Sequence, residues 1–566
     1  MPDTPQPDAQ GLPPITLRQG AIAYADSSEA ALLERFSGPG EHDEYAVTPH
    51  DLPWALHYHL TPRRKSLLGW LDFGFDADIL ELGAGCGALT PLLVERARSV
   101  TAVEGSPDRA KVIQQRCRKA ANLRIVVGNN ADLPYSGEFS HVTLVGVLEY
   151  AQAYVPHPRP YSHLLSQARS YLRPDGCLIL AIENSMGHKY LAGMPEDHTG
   201  RPYCGVNGYP GPFGTRTFDR PTLAAMLTEA GFPAQAWFYP SPDYKIPDVV
   251  LSEAAFHTPG FNPLQLLDLP TRDYDKRHFP AFNERTFLAS AHRAGIAQHF
   301  MNSFLVLAGA GPDAPALRAN ASMLAVAPNA DGCPRVFQTQ TRFDLEPDAS
   351  IRIARANLHG LTPLKFGSGE QRVKPGEKFL YGYENMLELV LGLLDGGDQT
   401  GAGATLLDWI ELISALAKPS SPQDVDAFKA FCRHHLGRPI YAGHMDGPWV
   451  SGTLLDAHPG NVMRHPETGD VRFIDLEWRL FCNLPLQLVI DRGVNLVGQK
   501  IAPWQRYYCF ETDGAGGLPP HMERRLQRSD AFRNADVPSL ARFQAWFMAG
   551  VRIGSLDHRL EPSPAD

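Results

Sequence analysis

The alternation of hydrophobic and polar positions changes rhythm along the chain. Over residues 27–36 and about 49–70 the apolar positions recur at helical spacing, which predicts two helices. From residue 78 onward, short apolar runs at 78–82, 99–103, 124–127, 142–147, 177–182 and 236–239 alternate with amphipathic stretches such as 89–97 and 106–121. Runs of that length bounded by turn residues read as buried strands. Their alternation with helices predicts an α/β domain with a parallel sheet covered on both faces. A run at 304–308 adds a last strand, and the Ala-, Gly- and Pro-rich stretch that follows reads as a connection out of the domain. Beyond it, helical runs at 384–394 and 405–416 precede a turn-rich segment at 454–475. The pattern therefore predicts a tail over 1–25, a first domain over 26–310, a linker over 311–334 and a second module over 335–566, with no internal repeat.

Length agrees with that division, since 566 residues exceed what one hydrophobic core serves. Hydrophobic residues at 43% and charged residues at 20% are the proportions of a folded globular chain. A formal charge of −10 leaves no broad basic surface, which disfavours a nucleic-acid partner. The short basic cluster Arg63-Arg64-Lys65 reads as a solvated helix face. Eight cysteines without a CxxC pair read as reduced, buried thiols of a cytosolic protein. The start, MPDTPQPDAQGLPP, has neither the basic nor the apolar region of a signal peptide, and no apolar run reaches the ~18 residues of a membrane span. A cytoplasmic enzyme without a membrane span is expected.

Candidate chemistry begins after the first predicted strand, at Gly83-Ala84-Gly85-Cys86-Gly87-Ala88. Small residues there let the backbone approach a ligand at the carboxyl end of a strand. Alone, the loop leaves three readings open. Gly83, Gly85 and Ala88 satisfy the dinucleotide pattern GxGxxA, another cofactor fits as well, and so does a plain tight turn. Glu104, closing the second strand, stands where a carboxylate accepts hydrogen bonds from both ribose hydroxyls of an adenosine, which suits either cofactor. Glu81, two residues before Gly83, favours a cofactor carrying sulfonium and ammonium charges over a pyrophosphate.

At this point the chain resembles the class I S-adenosylmethionine-dependent methyltransferases, through ILELGAGCG, TAVEGS, GNNADLP, VTLVGVLEY and YLRPDGCLIL in that order. The resemblance implies a Rossmann-like fold with S-adenosylmethionine held by Glu81, Gly83, Ala84, Gly85, Gly87, Glu104 and Gly146. It also implies an adenine contact from the group Asn129, Asn130 and Ala131, with Asn129 where the family often has an acid. Acceptor residues are expected after the fourth and fifth strands, at Glu149-Tyr150 and Glu183-Asn184. In the polar insertion EDHTGRPYCGVNGYPG, Glu196, Asp197 and His198 read as an oriented base for an alcohol acceptor, or as a locally bonded loop. His198, Glu149 and Tyr150 are the catalytic candidates, with His188 behind them; an anionic phosphate acceptor would need no base.

A narrower resemblance lies in WALHYHLTPRRKSLLGWLDF, AIENSMGHKYLAGMPEDHTG and FYPSPDYKIPDVVLSE, which include Tyr58, Arg63, Tyr244 and Lys245. These strings are similar to bacterial surface-polysaccharide (O-antigen type) methyltransferases, some fused to a kinase domain. That implies a glycan or nucleotide-sugar acceptor and glycan-assembly proteins as partners.

In the second module, LLDAHPGNVM sets Asp456 and Asn461 at DxxxxN spacing, and FIDLEW places Asp475 fourteen residues later. The pair of motifs resembles the aminoglycoside phosphotransferase type of kinase and implies a reduced kinase-like α+β module. Asp456 would orient the attacking hydroxyl, while Asn461 and Asp475 would hold Mg2+ on ATP. No Gly-rich phosphate loop is found, Arg355 in IRIARA stands where a lysine is expected, and LEW replaces FG. An active kinase, a docking scaffold and a chance resemblance all remain open.

Overall fold

The computed structural model describes residues 6, 8, 11–18, 27–38, 42–46, 52–74, 76–272, 280–312, 314–330, 333–362, 365–504, 518, 522, 526, 535–553 and 560. The chain forms two compact units, one of residues 1–331 with 341–351 and the other of 332–340 with 352–566.

Among the described residues the first unit contains β1 (Ile15–Leu17), β2 (Asp78–Leu82), β3 (Ser99–Glu104), β4 (Leu123–Val127), β5 (Phe139–Val145), β6 (Leu172–Glu183), β7 (Ala234–Ser241), β8 (Val249–Ser252), β9 (Ser303–Gly309) and β10 (Met323–Asn329). They lie side by side in the order β1-β4-β3-β2-β5-β6-β9-β7-β8-β10. Pairing is parallel from β1 to β6. It is antiparallel from β6 through β9, β7, β8 and β10. This is a Rossmann-like mixed sheet. Helices Thr90–Arg96, Pro107–Arg116 and Pro160–Tyr171 serve as its crossovers. Because both faces are covered, β2 is buried along its whole length, which explains its unbroken apolar run. The strand order reverses between β2, flanked by β3, and β5 on its other side, so a crevice opens at their carboxyl ends.

The second unit is α+β. Its core gathers Trp409, Phe428, Tyr441, Trp449 and Trp546, all fully buried, around the helices Met386–Asp395, Gln399–Ala415, Leu486–Ile501 and Val537–Ile553. Asn385 caps the first of these, its side chain accepting the Leu387 and Glu388 amides.

Several expectations need correction. Residues 15–17, inside the stretch read as a tail, pair with 125–127 and cover what would be an open edge of β4; most of 1–25 lies outside the described residues. Among the described residues, the helix expected over 49–70 covers Trp54–Leu60, and 49–51 lie outside them. Thr61 is extended because the ring of Pro62 bars the helical region at the preceding residue, and a tighter turn follows over Pro62–Leu67. The expected linker contains β10, whose Met323, Leu324, Ala325 and Val326 are fully buried beside β8, so four apolar residues outweigh the loop-like composition around them. Six cysteines are buried and Cys482 half-buried, while Cys509 lies outside the described residues. Among the described residues no helix is long and apolar enough to cross a membrane.

Candidate active site

The loop after β2 depends on its glycines. Gly83 (φ +69°), Gly85 (φ +59°) and Gly87 (φ +72°) all occupy the left-handed region, and a methyl group on Gly83 would overlap the Val147 side chain. Glu104, at the end of β3, clamps the loop from the next strand. Its Oε2 accepts the Gly85 amide at 2.8 Å and its Oε1 accepts the Ser106 amide at 2.9 Å. Burial pushes the Glu104 carboxyl above its ordinary value. Glu81 is buried and accepts the Thr90 hydroxyl at 2.7 Å; burial pushes its carboxyl up to about 7.

A cavity of about 360 Å³ lies against this loop, within the size range of small-molecule sites. Glu81, Gly83, Ala84, Gly85, Glu104, Asn130 and Gly146 line it together with Glu149, Tyr150 and His198. Three of the expected cofactor residues do not. Gly87 instead faces Ile113, Arg116 and Thr90 and closes the turn. The Asn129 amide donates to the Tyr154 carbonyl at 2.7 Å and its Oδ1 accepts the Ala131 amide at 3.0 Å, so Asn129 and Ala131 fold the loop. The neighbouring Asn130 presents a buried Oδ1 with no hydrogen-bond partner.

At the ends of β5 and β6 a charged group assembles. The His198 ring sits between the Tyr150 hydroxyl, 3.2 Å from Nδ1, and Glu183 Oε2, 3.3 Å from Nε2. Lys245 bonds both Glu183 and Asp197, and Lys189 meets Asp197 at 3.1 Å. The Tyr244 hydroxyl points to Glu149 Oε1 at 3.5 Å, and Glu149 Oε2 is buried without a partner. Burial, and then the Glu183 charge, push the Glu149 carboxyl up to about 8. Burial acts the same way on Glu183, but the Lys245 and His198 charges hold its carboxyl well below the usual range. Burial disfavours a charged His198, yet the Glu183 carboxylate lifts it to about 9. A glutamate in the turn after β5 and another at the end of β6 are thus driven to opposite protonation states by their neighbours.

Other candidates have structural work. Asn184 ties down the carbonyls of His299 and Met301, each at 2.8 Å. His188 is buried between the Phe300 carbonyl and Thr271. Glu196 receives the His198 and Thr199 amides and the Tyr209 hydroxyl, and so shapes the loop that presents His198. The basic cluster is not a solvated face. Arg64 and Lys65 are buried, Arg64 on the carbonyls of Tyr244 and Lys245 and Lys65 on Glu44, while Arg63 pairs with Asp248 at 2.9 Å. Arg64 also lines the cavity, as do Arg109 and Tyr154, which went unseen in the sequence, where nothing separates them from ordinary surface residues.

In the second unit Asp456, Asn461 and Asp475 do come together, with the Asn461 amide donating to the carbonyls of Asp456 at 3.0 Å and Asp475 at 3.4 Å. Asp475 is left-handed (φ +55°), a conformation uncommon outside glycine. Arg355 pairs with Asp475, and Arg492 pairs with Asp456 at 2.7 Å. Glu477, pushed up to about 7 by burial and then by Asp475, lies beside them.

Comparison with known proteins adds the following. Residues 79–176 match the family model described as "Methyltransferase domain". The chain is 36% identical over 107 residues to the "Probable ribosomal RNA small subunit methyltransferase A" of Haloarcula marismortui, covering 17% of this chain and 38% of that relative. It therefore spans well under half of the curated relative it matches. Among solved structures, a Burkholderia thailandensis 1,6-didemethyltoxoflavin-N1-methyltransferase with S-adenosylhomocysteine bound shows 22% identity, 41% coverage of this chain, 91% of that chain and a TM-score of 0.25. An N-methyltransferase from Bradyrhizobium japonicum shows 18% identity, coverages of 30% and 79%, and a TM-score of 0.22. Scores that low carry no weight beside the strand order itself. The family match spans β2 to β6, the strands whose carboxyl ends hold the glycine loop, Glu104 and the Glu149 turn, and the first unit of this chain thus contains a methyltransferase domain.

Proposed function

We propose that the first unit moves a methyl group from S-adenosylmethionine to an oxygen of a sugar-bearing acceptor, either a sugar hydroxyl or a sugar-linked phosphate, during assembly of a bacterial surface glycan in the cytoplasm. One observation carries the reading: the glycine loop, Glu104 and the unpartnered Asn130 Oδ1 share a cavity with Glu149, Tyr150 and His198. The residues fit the cofactor. Glu104 keeps lone pairs for two ribose hydroxyls, Asn130 Oδ1 supplies an acceptor for the adenine amine, and Glu81 offers an acid where a positive charge is favoured. Once bound, S-adenosylmethionine supplies a methyl group already activated by its positive sulfur. The chain's own residues then hold the acceptor oxygen, with Tyr150, His198 and Lys245 orienting it.

The acceptor class is supported by the surface-polysaccharide strings, which include Tyr58, Tyr244, Lys245 and the loop of His198. A ribosomal RNA acceptor, as in the relative's name, is disfavoured by the net charge of −10. A second reading adds a kinase reaction in the second unit, supported by the meeting of Asp456, Asn461 and Asp475. Magnesium does not fit there as the side chains stand, because an arginine already pairs with each carboxylate.

The experiment is methyl transfer from labelled S-adenosylmethionine to oligosaccharide acceptors, with and without ATP and magnesium. Label in the glycan supports the main reading, and no binding of S-adenosylmethionine by calorimetry refutes it. Label that requires ATP and disappears in Asp456→Ala supports the second.

A further inference from the structure

We propose that Glu149, Glu183 and His198 form a site for one divalent metal ion of the manganese, iron or zinc type, at the edge of the same cavity. A carboxylate oxygen from each glutamate and a ring nitrogen of His198 lie within 4.8 Å of one another. They come from three separate places in the sheet: the turn after β5 (Leu148–Tyr150), the last residue of β6, and the loop at 196–211. His198 Nε2 and Glu183 Oε2 hydrogen-bond each other at 3.3 Å, and an ion would take the place of the proton between them. Two ligands, each about 2.0–2.2 Å from one ion at right-angled to tetrahedral spacing, are separated by about 3.0–3.5 Å.

The outward atoms of the same side chains already have partners. Tyr150 meets His198 Nδ1, Lys245 takes Glu183 Oε1, and Tyr244 faces Glu149 Oε1. Metal-binding side chains are oriented in this way, the outer atom fixed by a hydrogen bond and the inner atom turned to the ion. Glu149 provides a second and independent sign. Its side chain is fully buried, it lines the cavity, and its Oε2 has no hydrogen-bond partner. A buried carboxylate oxygen without a donor is unfavourable, and a cation gives it one. The charges that face this group are Lys245, which is shared with Asp197, and Lys189, which is held by Asp197 and Asp243. The donor set is oxygen and imidazole without thiolate, which suits manganese, iron or zinc over copper(I).

The metal's use rests on the proposed function. A sugar hydroxyl entering its coordination sphere releases its proton to solvent more readily, so a neutral alcohol becomes a competent acceptor without a free base.

The test is binding of Mn2+ to the chelator-treated full-length protein, followed by calorimetry and by loss of the free-ion electron resonance signal. About one Mn2+ per chain is expected, unchanged in Asp475→Asn, which removes the carboxylate of the second unit. His198→Ala and Glu183→Gln should weaken it by more than about tenfold, and Tyr150→Phe by about 10- to 100-fold. Binding of S-adenosylhomocysteine checks that each variant keeps its cavity, and should the buried substitutions unfold the unit, Tyr150→Phe decides. No Mn2+ binding by a wild-type protein that does bind S-adenosylhomocysteine overturns the metal site alone. Mn2+ binding that ignores His198→Ala or Tyr150→Phe overturns it too. A protein that binds Mn2+ but not S-adenosylhomocysteine refutes the proposed function and leaves the metal site standing.

Discussion

Replacing Glu104 by glutamine tests the proposed cofactor site at its most defined point. The carboxylate is 6% exposed, and each of its oxygens already accepts one backbone amide, from Gly85 at 2.8 Å and Ser106 at 2.9 Å. Each oxygen has two lone-pair directions, so one remains on each for a ribose hydroxyl. Glutamine keeps a single acceptor and turns an NH2 group against one of the two amides. One ribose bond is lost, and the other is no longer charge-assisted. A lost hydrogen bond to a charged group is worth roughly 1.5–3 kcal/mol. Affinity for S-adenosylhomocysteine should therefore fall about 10- to 150-fold in a calorimetric titration. Since the site is buried, the loss should persist at raised ionic strength. An analogue without ribose hydroxyls should lose clearly less affinity in Glu104→Gln than S-adenosylhomocysteine does. A variant within about twofold of wild type refutes the reasoning, and so does an equal loss with the analogue, which would mean that the loop itself had been disturbed.

Further predictions concern stability. Burial raises Glu81 to about 7 in the folded chain, so the unfolded chain loses its proton first and stability should fall as pH rises from about 4.5 to 7; Glu81→Gln should flatten that slope in unfolding midpoints measured across pH, and an unchanged slope counts against it. The Arg116 side chain, 1% exposed, shares the buried Glu44 with Lys65, so Glu44 keeps one cation in Arg116→Met, and the substitution should destabilise the first unit by about 1.5–3 kcal/mol in denaturant unfolding, whereas a change under ~1 kcal/mol would show the pair to be dispensable. In the second unit a methyl group on Gly493 would overlap the Trp409 ring, so Gly493→Ala should cost about 1–3 kcal/mol and Trp409→Phe in the same chain should relieve part of it. Strict additivity of those two changes in a double-mutant cycle would contradict the contact.

The parallel half of the sheet was legible because its strands are covered on both faces and read as unbroken apolar runs, as at 78–82, whereas the antiparallel pairing of β6 through β9, β7, β8 and β10 was not. Among the strands that escaped notice, β1 is three residues long, β8 is a four-residue run and β10 is set among loop-forming residues. In the cofactor loop the glycines were legible because a left-handed backbone admits little else. Which asparagine faces the cavity was not legible, because Asn129 and Asn130 are the same residue type one position apart and only the fold of the loop turns one inward. Arg64 and Lys65 were misread for a related reason: a local charge run carries no sign of the carbonyls and carboxylate that receive it.

The sequence by itself determined the succession of strands and helices from β2 to β6, the glycine turn and the acid at the end of β3, since each depends on neighbours within a few residues or on a short periodicity. The tertiary structure alone decided that Lys245 reaches Glu183, 62 residues earlier, and that His198 stands between Tyr150 and Glu183. Those meetings follow from β5 lying beside β6 and from a loop folding back over both. The protonation states of Glu149 and Glu183 follow in turn, because a buried charge is set by whichever groups the fold brings within a few ångströms.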